Sequence, residues 1–83
     1  MNNDLSPNGA AIYSIQIQGI LDQHWTRRFG DMQVHTAHTG EGSRPPVTTV
    51  VGEVADQAAL AGLLDLAYSL GMPLLSVTYL GRP

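Results

Sequence analysis

Residues 55–80 read ADQAALAGLLDLAYSLGMPLLSVTYL, and this stretch decides the fold because it joins a helix to the strand that follows it. Asp56 is suited to the N-cap, where a carboxylate can accept hydrogen bonds from the free amide groups of the first turn. Apolar residues then recur at spacings of three and four, which predicts one stripe facing a core. The stripe comprises Leu60, Leu63, Leu64, Ala67 and Leu70.

The end of this helix is marked as clearly as its start. Gly71 can adopt the left-handed conformation that satisfies the last carbonyl groups, and Pro73 cannot continue a helix. Apolar and hydroxyl side chains alternate after Pro73, which is the period of a half-buried strand. The apolar set is Leu75, Val77 and Tyr79, and the hydroxyl set is Ser76 and Thr78. We therefore expect a buried strand directly after the helix.

The rest of the chain supplies three further strands and a short helix. Alternation and turn residues predict strands at Ala11–Gln18, Met32–Thr39 and Val47–Val54, and a helix at Leu21–Phe29. The order β-α-β-β-α-β predicts an α+β fold of the ferredoxin-like (split βαβ) plan, with a short first helix and a four-stranded antiparallel sheet. We expect residues 1–9 to form a flexible leader and residues 10–83 to form a single domain.

Size and charge narrow the functional classes. The chain has 83 residues, only 13% of them charged, and no lysine. So small and weakly charged a chain favours association, and a homodimer is the simplest form. The net charge of −3 argues against nucleic acid as a partner, because phosphate binding needs a basic surface.

Composition also bears on the compartment. With no cysteine, the chain has no disulfide framework and no thiolate ligand for a metal. It contains no apolar run of the ~20 residues that a membrane span requires, and its start lacks the features of a signal peptide. We expect a cytoplasmic protein without a membrane-bound segment.

The face of the sheet opposite the helices is predicted to be polar but almost uncharged. A face in contact with water alone usually carries Lys and Glu, so this face is a candidate dimer interface in which two sheets pack against each other. The candidate interface residues are Ile12, Ser14, Gln16, Gln18, Ser76, Thr78 and Leu80. The alternative is a solvated antiparallel sheet that happens to lack charge.

Residues that could carry chemistry are few. On an extended strand His35 and His38 point to opposite faces, so we expect no metal site. No serine lies in a nucleophile elbow and no pair of acids shares a site, so we name no catalytic residue and no cofactor. Trp and Arg are frequent in binding surfaces, which makes the first helix and the nearby histidines the candidate binding site. Its residues are His24, Trp25, Arg28, Phe29 and His35. The alternative is that Trp25 and Phe29 are core contacts of the short helix.

Three motifs carry a resemblance to a family. They are G-x-L-x-x-x-W-x-x-x-F from Gly19 to Phe29, D-Q-A-A-L-x-G-L-L from Asp56 to Leu64, and L-G-x-P-L-L-S-V from Leu70 to Val77. The pattern resembles that of a group of short uncharacterised bacterial proteins. The resemblance implies a stand-alone bacterial protein and no particular activity. Arg28 departs from the pattern, since the group has a bulky aromatic residue there.

The leading functional hypothesis is a non-enzymatic homodimeric module that binds or regulates another protein. The second is a regulatory domain that binds a small metabolite, by analogy with other ferredoxin-like dimers. The third is a small dimeric α+β barrel isomerase or monooxygenase in which His24 or His35 acts as the base.

Overall fold

A computed structural model describes residues 9–21, 24, 32–38 and 45–83, which form four strands and one long helix. The elements are β1 (Ala11–Gln18), β2 (Gln33–Ala37), β3 (Val47–Val54), α1 (Gln57–Ser69) and β4 (Leu74–Gly81). The predicted bounds of β1 and β3 are confirmed. The predicted second strand was too long at its start, since β2 begins at Gln33, and His38 follows its last residue.

The strands form one antiparallel sheet in the order β2-β3-β1-β4. The predicted α+β class with a four-stranded antiparallel sheet is confirmed. Of the predicted first helix, Leu21 and His24 are described: Leu21 is buried and His24 is helical and exposed. The remainder of that helix and the predicted leader up to residue 8 lie outside the described residues.

The core lies between the sheet and α1, and alternation along the central strands builds it. Tyr13, Ile15 and Ile17 of β1 are buried, and Val50 and Val54 of β3 lie beside them. The helix contributes Leu60, Leu63 and Ala67, while Leu64 is only partly buried. The predicted inner faces of β1 and β3 and the centre of the helical stripe are therefore confirmed.

Both ends of α1 have the predicted capping residues. Asp56 is the N-cap, and its Oδ1 accepts a hydrogen bond of 2.8 Å from the Ala59 amide. At the other end Gly71 has a φ of +73°. The Gly71 amide donates to the Tyr68 carbonyl and the Met72 amide donates to the Ala67 carbonyl, each at 3.0 Å. This is the Schellman arrangement, which satisfies carbonyls that the helix leaves unpaired.

The prediction that β4 is buried is wrong. Leu75 is 48% exposed and Val77 is 38% exposed, and Leu70 at the end of the apolar stripe is 37% exposed. For Val77 the cause is topological, because β4 lies at the edge of the sheet, where an inner-face residue has a neighbouring strand on one side only. Leu75 falls in a bulge, since the register passes from Ser76 to Leu74. Tyr79 alone of the three predicted inner residues packs on the core, where its ring meets that of Tyr13 edge-on at 5.7 Å.

The pairing of β1 with β4 is interrupted twice. The register shifts between Ile12 and Tyr13 and again between Gln16 and Ile17, so that β4 has an extra residue at each point. Shifts of this kind are β-bulges, which increase the local twist of a strand. The regular part of β4 therefore runs from Ser76 to Tyr79.

Candidate functional site: the outer face of the sheet

The strand register assembles the outer face in rows of residues that lie directly opposite one another. One row is Gln33, Val51, Ser14 and Thr78, and the next is His35, Thr49, Gln16 and Ser76. Residues opposed in an antiparallel pair share a face, with Cβ atoms about 4.5–5.5 Å apart, so side chains within a row are in reach of one another. The two rows cross all four strands, and every residue in them except Val51 is polar.

One hydrogen bond ties the edge of this face to its centre. The Ser76 hydroxyl donates to Oε1 of Gln16 at 3.1 Å, in an exposed position. Gln16 and Ser76 are both among the predicted interface residues, and the bond confirms that they lie on the same face. Because the bond is exposed, its donor and acceptor can also exchange with water or with a group brought by a partner.

The outer face carries few charged groups. Among the residues that the register places on it, Glu53 and His35 are the ionisable ones, and Glu53 lies opposite Ile12 at one end. Neutral amides and hydroxyls cost far less to remove from water than carboxylates or ammonium groups. The outer face can therefore be covered by another surface at low cost, provided its hydrogen bonds are replaced.

The predicted interface residues differ in exposure. Gln16, Thr78 and Leu80 are exposed, with Leu80 at 54%, while Ile12, Ser14, Gln18 and Ser76 are half-buried by their neighbours. Alternation along β1 and the register with β4 account for the placement of all of them except Leu80. Leu80 occupies one of the two bulges, and it is assigned here by its exposure alone.

The predicted binding cluster around the first helix is only partly described. His35 is exposed and lies on the outer face opposite Thr49, whereas His24 is exposed and has helical backbone. Trp25, Arg28 and Phe29 lie outside the described residues. In the described parts of the chain, no group of three or more histidine and acidic side chains is arranged to hold a metal ion.

Three polar contacts of the inner face were not predicted, two of them made by Thr48. Thr48 is fully buried, and its hydroxyl donates to the Gly19 carbonyl at 2.6 Å and lies 2.9 Å from the Thr36 hydroxyl. Nε2 of Gln57 donates to the Tyr13 hydroxyl at 2.8 Å, which joins α1 to β1. The alternation that places Val50 inside also places Thr48 inside, so the sequence contains the signal for the burial of Thr48 but not for its partners or for the contact of Gln57.

Comparison with known proteins assigns a family. A family model described as a domain of unknown function, DUF8691, matches residues 12–78. The chain belongs to the DUF8691 family. The DUF8691 match begins at Ile12 in β1 and ends at Thr78 in β4, so it includes both rows of the outer face. No curated protein and no solved structure matches the chain.

Membership of DUF8691 confirms the resemblance to a family of proteins of unknown activity, while the bacterial origin stays a prediction. Within the described ranges, no helix combines the length and the apolar character needed to cross a membrane.

Proposed function

We propose that this chain is a small non-enzymatic homodimeric module for protein interaction or regulation, with the outer face of the sheet as its interaction surface. The observation that carries the proposal is the pair of neutral polar rows that span all four strands. A surface of this kind binds through shape and shared hydrogen bonds, with water at its margins, rather than through charge.

We also propose that the complete fold is ferredoxin-like and that the protein is cytoplasmic. The strand order, the antiparallel direction of every pair and the helix between β3 and β4 support the split βαβ plan. The plan requires a second helix between β1 and β2, where His24 is helical. A sequence without cysteine is compatible with a reducing compartment.

The homodimer is tested by light scattering on the purified protein. The mass of one chain is 8.9 kDa, and the mass measured at micromolar concentration should be twice that value. A measured mass equal to that of one chain would contradict the homodimer.

The interaction surface is tested by substitution of Gln16 with Lys, which places an ammonium group, the chain's first lysine, in the centre of the neutral face. Binding of a protein partner should weaken at least about tenfold, because the charge must be removed from water at the interface. The control is Ala61→Lys on the exposed side of α1, which adds the same charge away from the sheet. Equal binding by the two variants would exclude the outer face.

The second candidate function, binding of a small metabolite, is favoured by one observation. The exposed imidazole of His35 lies in a row with Thr49 and Gln16, which together offer donors and acceptors for a polar ligand. A screen of metabolites by thermal shift tests it, because a ligand that binds the native state raises the midpoint of unfolding. A midpoint raised for the wild type but not for His35→Ala would favour this function over protein interaction.

A further inference from the structure

The edge strand β4 has two β-bulges but lacks several other features that protect edge strands from pairing. It has eight residues, as many as the central strands β1 and β3, and contains no charged residue and no proline. Edge strands usually carry such groups, or are short, because their free N–H and C=O groups can pair with another chain. The opposite edge, β2, has only five residues and a mainly polar sequence, so the two edges of the sheet differ.

Apolar side chains are concentrated on this edge. Four of the seven large apolar side chains that are most exposed in the described structure belong to β4. They are Leu74 at 48%, Leu75 at 48%, Val77 at 38% and Leu80 at 54%. A partner strand hydrogen-bonded to β4 would satisfy its backbone and cover this apolar surface at the same time.

The sequence of β4 identifies which strand fits. The residues on the two sides of Val77 are of the same type at each distance from it. The first on each side are the hydroxyl residues Ser76 and Thr78, and the next are the large apolar residues Leu75 and Tyr79, followed by Leu74 and Leu80. An antiparallel pair of two β4 strands centred on Val77 therefore sets Val77 against Val77 and Ser76 against Thr78 within the regular segment, and large apolar residues follow on both sides. Opposed hydroxyl pairs and opposed apolar pairs are both stabilising across strands, and no like charges meet.

We propose that the partner of β4 is β4 of a second copy of this chain. The two strands pair antiparallel about a twofold axis that passes between the two Val77 residues. The proposal rests on the homodimer proposed above and specifies its contact, which is the edge of the sheet rather than its outer face. The two sheets then join into one of eight strands, and the two outer faces lie side by side as one continuous surface for a protein partner. The regular segment from Ser76 to Tyr79, between the two bulges, is the centre of the pairing.

Cysteine substitution tests this geometry directly because the chain has no cysteine of its own. In the proposed pair the two Val77 residues are directly opposed, with Cα atoms about 4.5–5.5 Å apart, which is within the range that a disulfide spans. Val77→Cys should give a covalent dimer under mild oxidation at least about tenfold faster than the exposed control Gln16→Cys, because the dimer raises the effective thiol concentration. The substitution is small, so the fold should be retained, and circular dichroism checks this.

The register is tested by mixing two further variants. Ser76 of one copy should face Thr78 of the other, so a mixture of Ser76→Cys and Thr78→Cys should form the mixed disulfide faster than either variant couples with itself. Equal coupling in all three cases would overturn the register about Val77.

The outcomes separate this inference from the proposed homodimer. A wild-type dimer in which Val77→Cys couples no faster than Gln16→Cys would overturn the edge contact and leave the homodimer in place. A monomeric wild type would overturn both. A dimer that dissociates on Gln16→Lys while Val77→Cys stays uncoupled would assign the contact to the outer face instead.

Discussion

At the scale of single residues, Gly52 and Met32 pack so closely that the space for a side chain at position 52 is filled. A Cβ atom on Gly52 would lie 2.5 Å from the Met32 sulfur and 3.1 Å from the Met32 Cα. The sulfur belongs to a flexible side chain and can move, but the Cα belongs to the backbone and cannot move without shifting the start of β2. A residue larger than glycine therefore does not fit at position 52 unless the neighbouring atoms move.

Gly52→Ala should destabilise the protein by about 1–3 kcal/mol, the usual cost of adding a methyl group to a filled site. Gly62→Ala is the matched control, because a Cβ there meets nothing within 4 Å and the position lies on the exposed side of α1. Alanine is the better helix former, so the control should gain about 0.5–1 kcal/mol. Urea denaturation of both variants measures the difference; a loss in Gly62→Ala equal to that in Gly52→Ala would contradict this account.

Sequence alternation predicted which side chains of β1 and β3 are buried, because a central strand has neighbours on both sides and a covered inner face. Alternation placed Val50 on the inner face, and the same alternation places Thr48 there. The hydrogen bonds of the Thr48 hydroxyl to Thr36 and Gly19 depend on where those partners lie in space, which alternation does not specify. The close approach of Met32 to Gly52 likewise could not be predicted, since a one-dimensional pattern contains no distance between β2 and β3.

At the scale of elements, α1 is the part of the fold that the sequence predicted best. Its N-cap, its apolar residues and its terminating glycine are local signals, each within four residues of the groups it acts on. The same reasoning failed for β4, where alternation predicted a buried face. Whether Leu75 and Val77 are covered depends on the position of β4 in the sheet, which pairing with β1 decides and local alternation does not.

Asp56→Ala should lower the free energy of unfolding by about 1 kcal/mol, because the Ala59 amide loses its acceptor. The control is Asp65→Ala, an exposed position within α1, where alanine should be neutral or stabilising by up to about 0.5 kcal/mol. The midpoints of chemical denaturation report both effects. Equal midpoints for the two variants would show that the cap contributes no stability.

At the scale of the whole molecule, the homodimer links stability to protein concentration. If unfolding separates two chains, a hundredfold rise in concentration should raise the midpoint of thermal unfolding by about 5–10 °C. Calorimetry or circular dichroism over that range measures the shift. A midpoint that does not change with concentration would indicate that folding and association are independent, or that the chain is a monomer.

The sequence also predicted the outer face, since the hydroxyl and amide residues follow strand alternation and the register brings them into rows. It predicted a dimer through that face because low charge was the only available signal. The apolar residues of β4 point to the edge instead, and their exposure became visible only once the strand order placed β4 outermost. The binding site predicted around Trp25, Arg28 and Phe29 stays a prediction.

The pairing of β1 with β4 has a consequence for how the protein is made. Gln16 and Ser76 are sixty residues apart in the chain, yet their strands are neighbours. During synthesis β1 is made before β4. The backbone groups on that side of β1 therefore stay unpaired until β4 has followed. Contacts between such distant segments slow folding, so we expect the pairing of β1 with β4 to be a late step in folding.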